Sequence, residues 1–282
     1  MAASPSGPAT IALLGGSAGS LAKARGELDR ALAANQGSAQ TFGDELFALA
    51  DALDEDKALA RALTNPNREA AAKERLVAQA MAGHFRPAVA LAAKIAALRW
   101  SKDGDLADVL EELAFDANLA DAQAKQVLAA VEAELFEVDA VLRNNRDLRT
   151  ALGDVVAEPA AKAKLIDQVF AQAVRPETLY LLERVVRHPR GRGIRYALSY
   201  IGSLVAARRQ RLVVEATSAA PLSRKQADSL TKLLAAEYGR DIQLNVSIDR
   251  SVIGGVRLRV GDEVVDGSLF TRFTQLRRDL AA

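Results

Sequence analysis

The chain has 282 residues, with 37 Lys and Arg set against 36 Asp and Glu, and no cysteine. A net charge of +1 gives no overall field to steer it toward nucleic acid or anionic lipid, and the missing thiols exclude a disulfide framework, a thiolate zinc site and a cysteine nucleophile. Half the residues are apolar but only 5% are aromatic, so alanine carries much of the apolar content and closely packed helices are expected.

Residues 1–16 read as a flexible start, because Ile11-Ala12-Leu13-Leu14 lacks the basic lead and the length of a signal peptide. Gly15-Gly16-Ser17-Ala18-Gly19-Ser20, ahead of Lys23, has the composition of a phosphate-cradling loop. Its spacing fails: Ser20-Leu21-Ala22 stands where Gly-Lys-Ser/Thr is required, so the run reads as the lead-in and cap of a helix over 20–34. Leu46, Leu49 and Leu53 mark the apolar face of the next helix, and Asn65-Pro66-Asn67 is a break. Pro87 stands where a helix can begin. The stretch Val89–Leu98, closing on Trp100, is apolar nearly all round, as in a buried bundle helix or the wall of a groove for a partner's amphipathic helix. The longest apolar stretch, Pro87 to Leu98, is interrupted by Lys94 and falls short of the roughly 20 apolar residues that span a bilayer. Glu111-Glu112 reads as a solvated helix face.

Much of this pattern then recurs 89 residues later. Glu45-Leu46-Phe47 matches Glu134-Leu135-Phe136, Ala71-Ala72-Lys73 matches Ala160-Ala161-Lys162, and Arg86-Pro87 matches Arg175-Pro176. Such spacing signals two copies of one supersecondary unit, each an antiparallel bundle of about five or six short helices. In the second copy Leu135, Val138 and Leu142 carry the apolar face, with turns at Glu158-Pro159 and at Pro189–Gly193. Arg184, Arg187, His188, Arg190, Arg192 and Arg195, followed by Arg208, Arg209 and Arg211, form the one local charge concentration. It reads as a solvated helix–turn face, with an acidic protein helix as the main alternative. His84 and His188 read as solvated turn residues, because neither has an acid or hydroxyl partner at a recognisable spacing. No metal-ligand constellation is seen, and no cofactor or catalytic residue is expected.

From residue 211 the period changes. Leu212–Ser218 reads as a strand, and Pro221-Leu222-Ser223 leads into a helix capped by Ser223 and stopped near Gly239. Ile242–Ile248 and Val256–Val260 alternate as half-buried strands, Gly261-Asp262-Glu263 turns into Val264-Val265, and a terminal helix presents Leu269, Phe270, Phe273, Leu276 and Leu280. The expected fold is therefore mainly α: two repeated antiparallel helical bundles over 17–118 and 119–210, followed by a small α/β C-terminal module over 211–282.

Ser251-Val252-Ile253-Gly254-Gly255-Val256, the Gly261-Asp262 turn and Gly267-Ser268 ahead of a terminal helix together resemble the C-terminal signature of the delta subunit family of rotary ATP synthases. In that pattern Gly254, Gly255, Gly261 and Gly267 allow tight turns where strands meet, and Ser268 can cap the last helix. Resemblance covers roughly residues 120–282 directly, and the duplicated helical region looks like the longer form of the family typical of actinobacteria. What the resemblance implies is a non-catalytic stator connector, one copy in a hetero-oligomeric complex at the cytoplasmic face of the plasma membrane, with no membrane span of its own and no nucleic-acid partner. Its partners would be the N-terminal helices of alpha subunits and the b subunits of the peripheral stalk. For the b contact the candidates are Leu269, Phe270, Phe273 and Leu276, whose face would otherwise close the module's own core. For the alpha contact they are Leu21, Leu28 and Leu32 with Leu91, Ile95 and Leu98, and which copy makes it stays open. A helical-repeat scaffold of another complex is the rival reading; it accounts for the duplication but not for the α/β end.

Overall fold

The computed structural model describes Leu13 and residues 15–210, 212–238, 242–248, 256–260 and 263–265. They fall into two compact units, the first running to Arg208 and the second starting at Arg209.

The first unit is helical throughout. The first copy comprises α1 (Gly16–Ala34), α2 (Ala39–Glu55), α3 (Lys57–Thr64), α4 (Ala70–Ala80) and α5 (Arg86–Ala96). After α6 (Asp105–Ala124) the second comprises α7 (Leu128–Asn144), α8 (Arg146–Gly153), α9 (Pro159–Phe170), α10 (Pro176–Arg187) and α11 (Ile194–Gln210). Helix starts repeat at the same spacing as the sequence: α1, α6 and α11 begin at Gly16, Asp105 and Ile194, each 89 residues after the one before. Helix α6 thus closes the first copy and opens the second, and the boundary expected at 118/119 falls inside it. One apolar core runs continuously from Leu21 to Val205 through both copies.

The repeated motif has a structural job. Glu45 of α2 accepts the Phe85 amide at 3.0 Å, and Glu134 of α7 accepts the Arg175 amide at 3.1 Å and a hydrogen bond from Thr178 Oγ1. In each copy a carboxylate from the Glu-Leu-Phe helix caps the N-terminus of the helix begun by Arg-Pro, where unpaired amides and the helix dipole favour negative charge.

Most of α6 is buried, including Asp105, Glu111, Glu112 and Asp116. An ionised carboxylate removed from water costs several kcal/mol unless it is paired, so this helix needs partners on every side. Arg25 of α1 and Tyr200 of α11 meet at Glu112, donating at 2.9 and 2.7 Å. Arg190 and Arg192, between α10 and α11, pair with Glu111. Arg208 of α11 donates to Asp116 at 2.9 Å and to Gln123 at 3.0 Å, and Ser17 of α1 donates to Asp105 at 2.6 Å. The solvated face expected at Glu111-Glu112 is therefore interior, and periodicity missed it because paired charges look the same in sequence whether wet or dry.

The second anchor is α2. Its packing on α6 is close enough that a Cβ at Gly43 would stand 2.9 Å from Asn118 Cγ and 3.0 Å from the Ala114 carbonyl oxygen. Its outer side faces α10, where Arg184 makes a bidentate pair with Asp51, both bonds 2.6 Å, and covers the Phe47 ring at 4.1 Å from its centroid. His188 lies 3.1 Å from Asp51, and Arg190 Nε lies 2.7 Å from Asp54. Much of the basic run is thus not a solvated face: Arg184, Arg190, Arg192 and Arg208 meet acids of α2 and α6 within the same chain. Burial alone would raise the Asp51 carboxyl, but hydrogen bonds from His188 and Arg184, and their charges, outweigh it and hold the group at about 2.

The second unit is a four-stranded sheet in the order β2-β1-β3-β4, formed by β1 (Leu212–Ser218), β2 (Ile242–Ile248), β3 (Val256–Val260) and β4 (Glu263–Val265). Strands β1 and β2 are parallel, Leu212 opposite Ile242, and the crossover between them carries α12 (Arg224–Tyr238). Strand β3 pairs antiparallel with both β1 and β4. Val214 and Ala216 of β1 pack with Leu258 of β3, Ile242 of β2, and Leu230 and Leu234 of α12. Ser223 and Gln226 form the reciprocal cap of α12, the Ser223 amide donating to Gln226 Oε1 at 2.8 Å.

Two stability outcomes follow. Replacing Arg208 with Ala leaves Asp116 buried without its cation and lowers unfolding free energy by about 3–5 kcal/mol, whereas Arg208→Met with Asp116→Leu recovers most of it; urea unfolding of the three variants reads the difference. Asp51 is held below its ordinary 3.8, so its pairing stabilises the fold above about pH 4 and that contribution is lost as pH falls toward about 2. Asp51→Asn removes about 1–2 kcal/mol at neutral pH and flattens the acid dependence across that window; an unchanged slope in urea titrations at successive pH values contradicts the assignment.

Candidate protein-docking site

The glycine-rich run ahead of Lys23 is the start of α1, with Gly15 at its N-cap in a left-handed conformation. Its hydroxyls are engaged at the α5–α6 loop: Ser17 accepts from the Ser101 amide at 2.8 Å, and Ser20 donates to the Arg99 carbonyl at 2.6 Å. Both histidines lie at turns but have carboxylate partners. His84 meets Glu45 and His188 meets Asp51, across sequence distances that no local motif covers. Among the described residues, no group of three or more His, Cys, Asp or Glu is arranged to hold a metal ion.

The six residues expected at the alpha contact divide by depth. Leu21, Leu28, Leu91 and Ile95 are buried in the core, while Leu32 and Leu98 are half-buried against it. The same two helices show solvent a different set of positions, with Ala18, Ala22 and Lys23 exposed on α1 and Arg86, Ala90 and Lys94 on α5. A salt bridge of 3.4 Å from Lys94 to Glu27 spans the seam between them. Beside it, between α4 and α5, lies an open groove of about 900 Å³ lined by Ala71, Ala78, Met81, Ala82, Ala90 and Ala93 among others. Its lining mixes these residues with the charged Glu74, Arg75 and Arg86. Trp100 is buried, as the buried-helix reading of Val89–Leu98 expects.

Sequence reasoning missed the apolar surface of the second copy. Phe136, Val141, Val155, Val156, Val169 and Tyr196 are exposed, and they include every large exposed apolar residue among the described part of the helical unit. The repeat pointed the other way, because it equates Phe136 with Phe47, which is 3% exposed against 70% for Phe136. The signal available was the change of neighbours: Phe115, edge-on to Phe47 with centroids 5.0 Å apart, is replaced 89 residues on by Leu204.

At the C-terminal end, Gly254, Gly255, Gly261 and Gly267 of the signature, and Leu269, Phe270, Phe273 and Leu276 of the expected b contact, lie outside the described residues. Strand β3, which begins directly after the paired glycines, is described and occupies an interior position in the sheet.

Comparison with known proteins adds an independent line. The sequence model of the ATP synthase delta (OSCP) subunit matches residues 116–280, a span that opens inside α6 and takes in the second copy and most of the second unit. The ATP synthase subunit delta of Beutenbergia cavernae is 41% identical over 246 residues, 86% of this chain and 90% of that protein. Those of Streptomyces avermitilis and Kineococcus radiotolerans are 38% and 37% identical over 95% and 93% of this chain, and over 98% and 95% of their own lengths. These relatives therefore share the first copy as well as the second. With a fold of repeated helical bundles and a small α/β module following them in sequence, the chain belongs to the ATP synthase delta (OSCP) subunit family.

Proposed function

We propose that this protein is the connector of the ATP synthase stator, one copy per complex, joining the catalytic head to the peripheral stalk and resisting the torque of rotation. The observation that carries the reading beyond family membership is the way the helical unit is braced. Buried ion pairs tie α6 to α1 and α11, and a bidentate pair ties α2 to α10, so a load applied to one copy is borne by both. A connector under torque needs this rigidity and several protein-binding faces, and its work is mechanical. No helix among the described residues is long and apolar enough to cross a membrane, which suits a subunit held peripherally at the cytoplasmic face by its partners.

In this reading the helical unit holds N-terminal helices of alpha subunits and the C-terminal module holds the b subunits. The alpha contact is assigned to α1 and α5. Because Leu21, Leu28, Leu91 and Ile95 belong to the core, the surface offered is the exposed set on the same helices, in which Ala18, Ala22 and Ala90 stand among Lys23, Arg86 and Lys94. The b contact is assigned to the helix carrying Leu269, Phe270, Phe273 and Leu276.

Ala22→Glu with Ala90→Glu, both at exposed positions, is expected to weaken binding of the full chain to an alpha–beta head stripped of this subunit by about tenfold or more, roughly 1.4 kcal/mol, without changing its melting temperature. Unchanged affinity would remove α1 and α5 from the contact. Phe270→Asp with Phe273→Asp is expected to weaken capture of the b subunits by a similar factor while head binding is retained; equal loss of both would point to a collapsed module instead.

A further inference from the structure

Strand β2 forms one edge of the sheet in the second unit, and its apolar face loses cover along its length. Ile242, Leu244, Val246 and Ile248 pair in register with Leu212, Val214, Ala216 and Ser218 of β1, which puts them on the face that Leu230 and Leu234 of α12 pack against. Ile242 is buried and Leu244 half-buried in that cluster, but Val246 is 36% exposed and Ile248 56%. One strand inward Ala216 and Ser218 are buried, and Val256 of β3, opposite Ser218, is half-buried. Among the described residues, the apolar corner where β2 ends is therefore incompletely covered.

Residues 266–282 lie outside the described residues, but the point from which they set out does not. Strand β4 runs antiparallel to β3 and ends at Val265, opposite Leu258, so the chain leaves it heading toward the row that holds Val256, Ser218 and Ile248. From β4 to β2 is three strand spacings, about 14 Å. A helix from Leu269 to Leu280 spans about 16 Å, enough to cross the sheet from one edge to the other. On such a helix Leu269, Phe273, Leu276 and Leu280 fall within an arc of roughly 60°, and Phe270 stands about 60° outside it. Charge selects the same side of the sheet. The opposite face exposes Arg257 and Arg259 of β3, where a segment carrying Arg272, Arg277 and Arg278 would meet like charge.

We propose that the C-terminal segment crosses the end of the sheet as a helix, seating Leu269, Phe273, Leu276 and Leu280 over Val256 and Ile248 and turning Phe270 outward. The apolar stripe then completes the core that α12 covers only in part. This divides the four residues assigned to the b contact: Leu269, Phe273 and Leu276 hold the module together, and Phe270 is left to meet a partner. Only the role of Phe270 rests on the stator reading.

The chain has no cysteine, so thiol pairs can be placed at will in the full-length protein. Ile248→Cys with Leu280→Cys is expected to form a disulfide under mild oxidation at least tenfold faster than Ile248→Cys with Arg278→Cys, whose second thiol lies on the far side of the helix. Comparable rates for the two pairs, or no disulfide in either, overturn the proposal. A second measurement needs no thiols: Phe273→Asp is expected to cut hydrogen-exchange protection of the Val214 and Ala216 amides by about tenfold or more, whereas Phe270→Asp leaves it unchanged. Equal loss in both variants, or in neither, also overturns it. Phe270→Asp is further expected to weaken capture of the b subunits at least tenfold. Unchanged capture beside a fast Leu280 pair upholds the packing and overturns the b contact at this helix.

Discussion

The helical unit depends on a single requirement, that the carboxylates buried along α6 be neutralised by groups from outside it. Glu111, Glu112 and Asp116 cannot be stranded in a low-dielectric interior, and each is met by a cation or hydroxyl from α1, α11 or the turn between α10 and α11. Those partners come from both copies, so satisfying one helix ties the duplicated halves together. A core of alanine and leucine alone leaves helix register and crossing angle loosely specified; a set of directional ion pairs allows one arrangement. Gly43 contributes in the same way, letting α2 settle against Asn118 and Ala114 at a distance no side chain would permit.

Duplication explains both the likeness and the divergence of the two copies. The Glu-Leu-Phe and Arg-Pro elements persist together because they act together, a carboxylate of the second helix capping the fifth. Surface positions have drifted apart. In the first copy α2 is an acidic seat for α10, whereas the equivalent positions of the second copy are Ala133, Ala140 and Arg143, and Phe136 is exposed.

Much of the fold was legible in the sequence because it rests on local pattern. Apolar spacing marked the helices, prolines marked their starts, and alternation at Leu212–Ser218 and Ile242–Ile248 marked the paired strands. The family itself was legible in the glycine-bearing signature near Val256. Charge placement was not legible: Arg192 and Glu111 are 81 residues apart and Arg190 and Asp54 are 136 apart, so nothing local reports that they meet. For the same reason Glu111-Glu112 looked solvated and the histidines looked unpartnered. Depth within a helix was also beyond the pattern, since Leu28 and Ile95 carry the right chemistry for a contact but face the core.

The most direct measurement of the account is native mass spectrometry of the complex captured through a tag on this chain under gentle solubilisation. The account predicts one copy of the chain bound stably with alpha, beta and b subunits, and subcomplexes in which it remains bridged to both alpha and b. Recovery of the chain free, in several copies, or with only one of those two partners under all conditions would contradict a connector that links head to stalk.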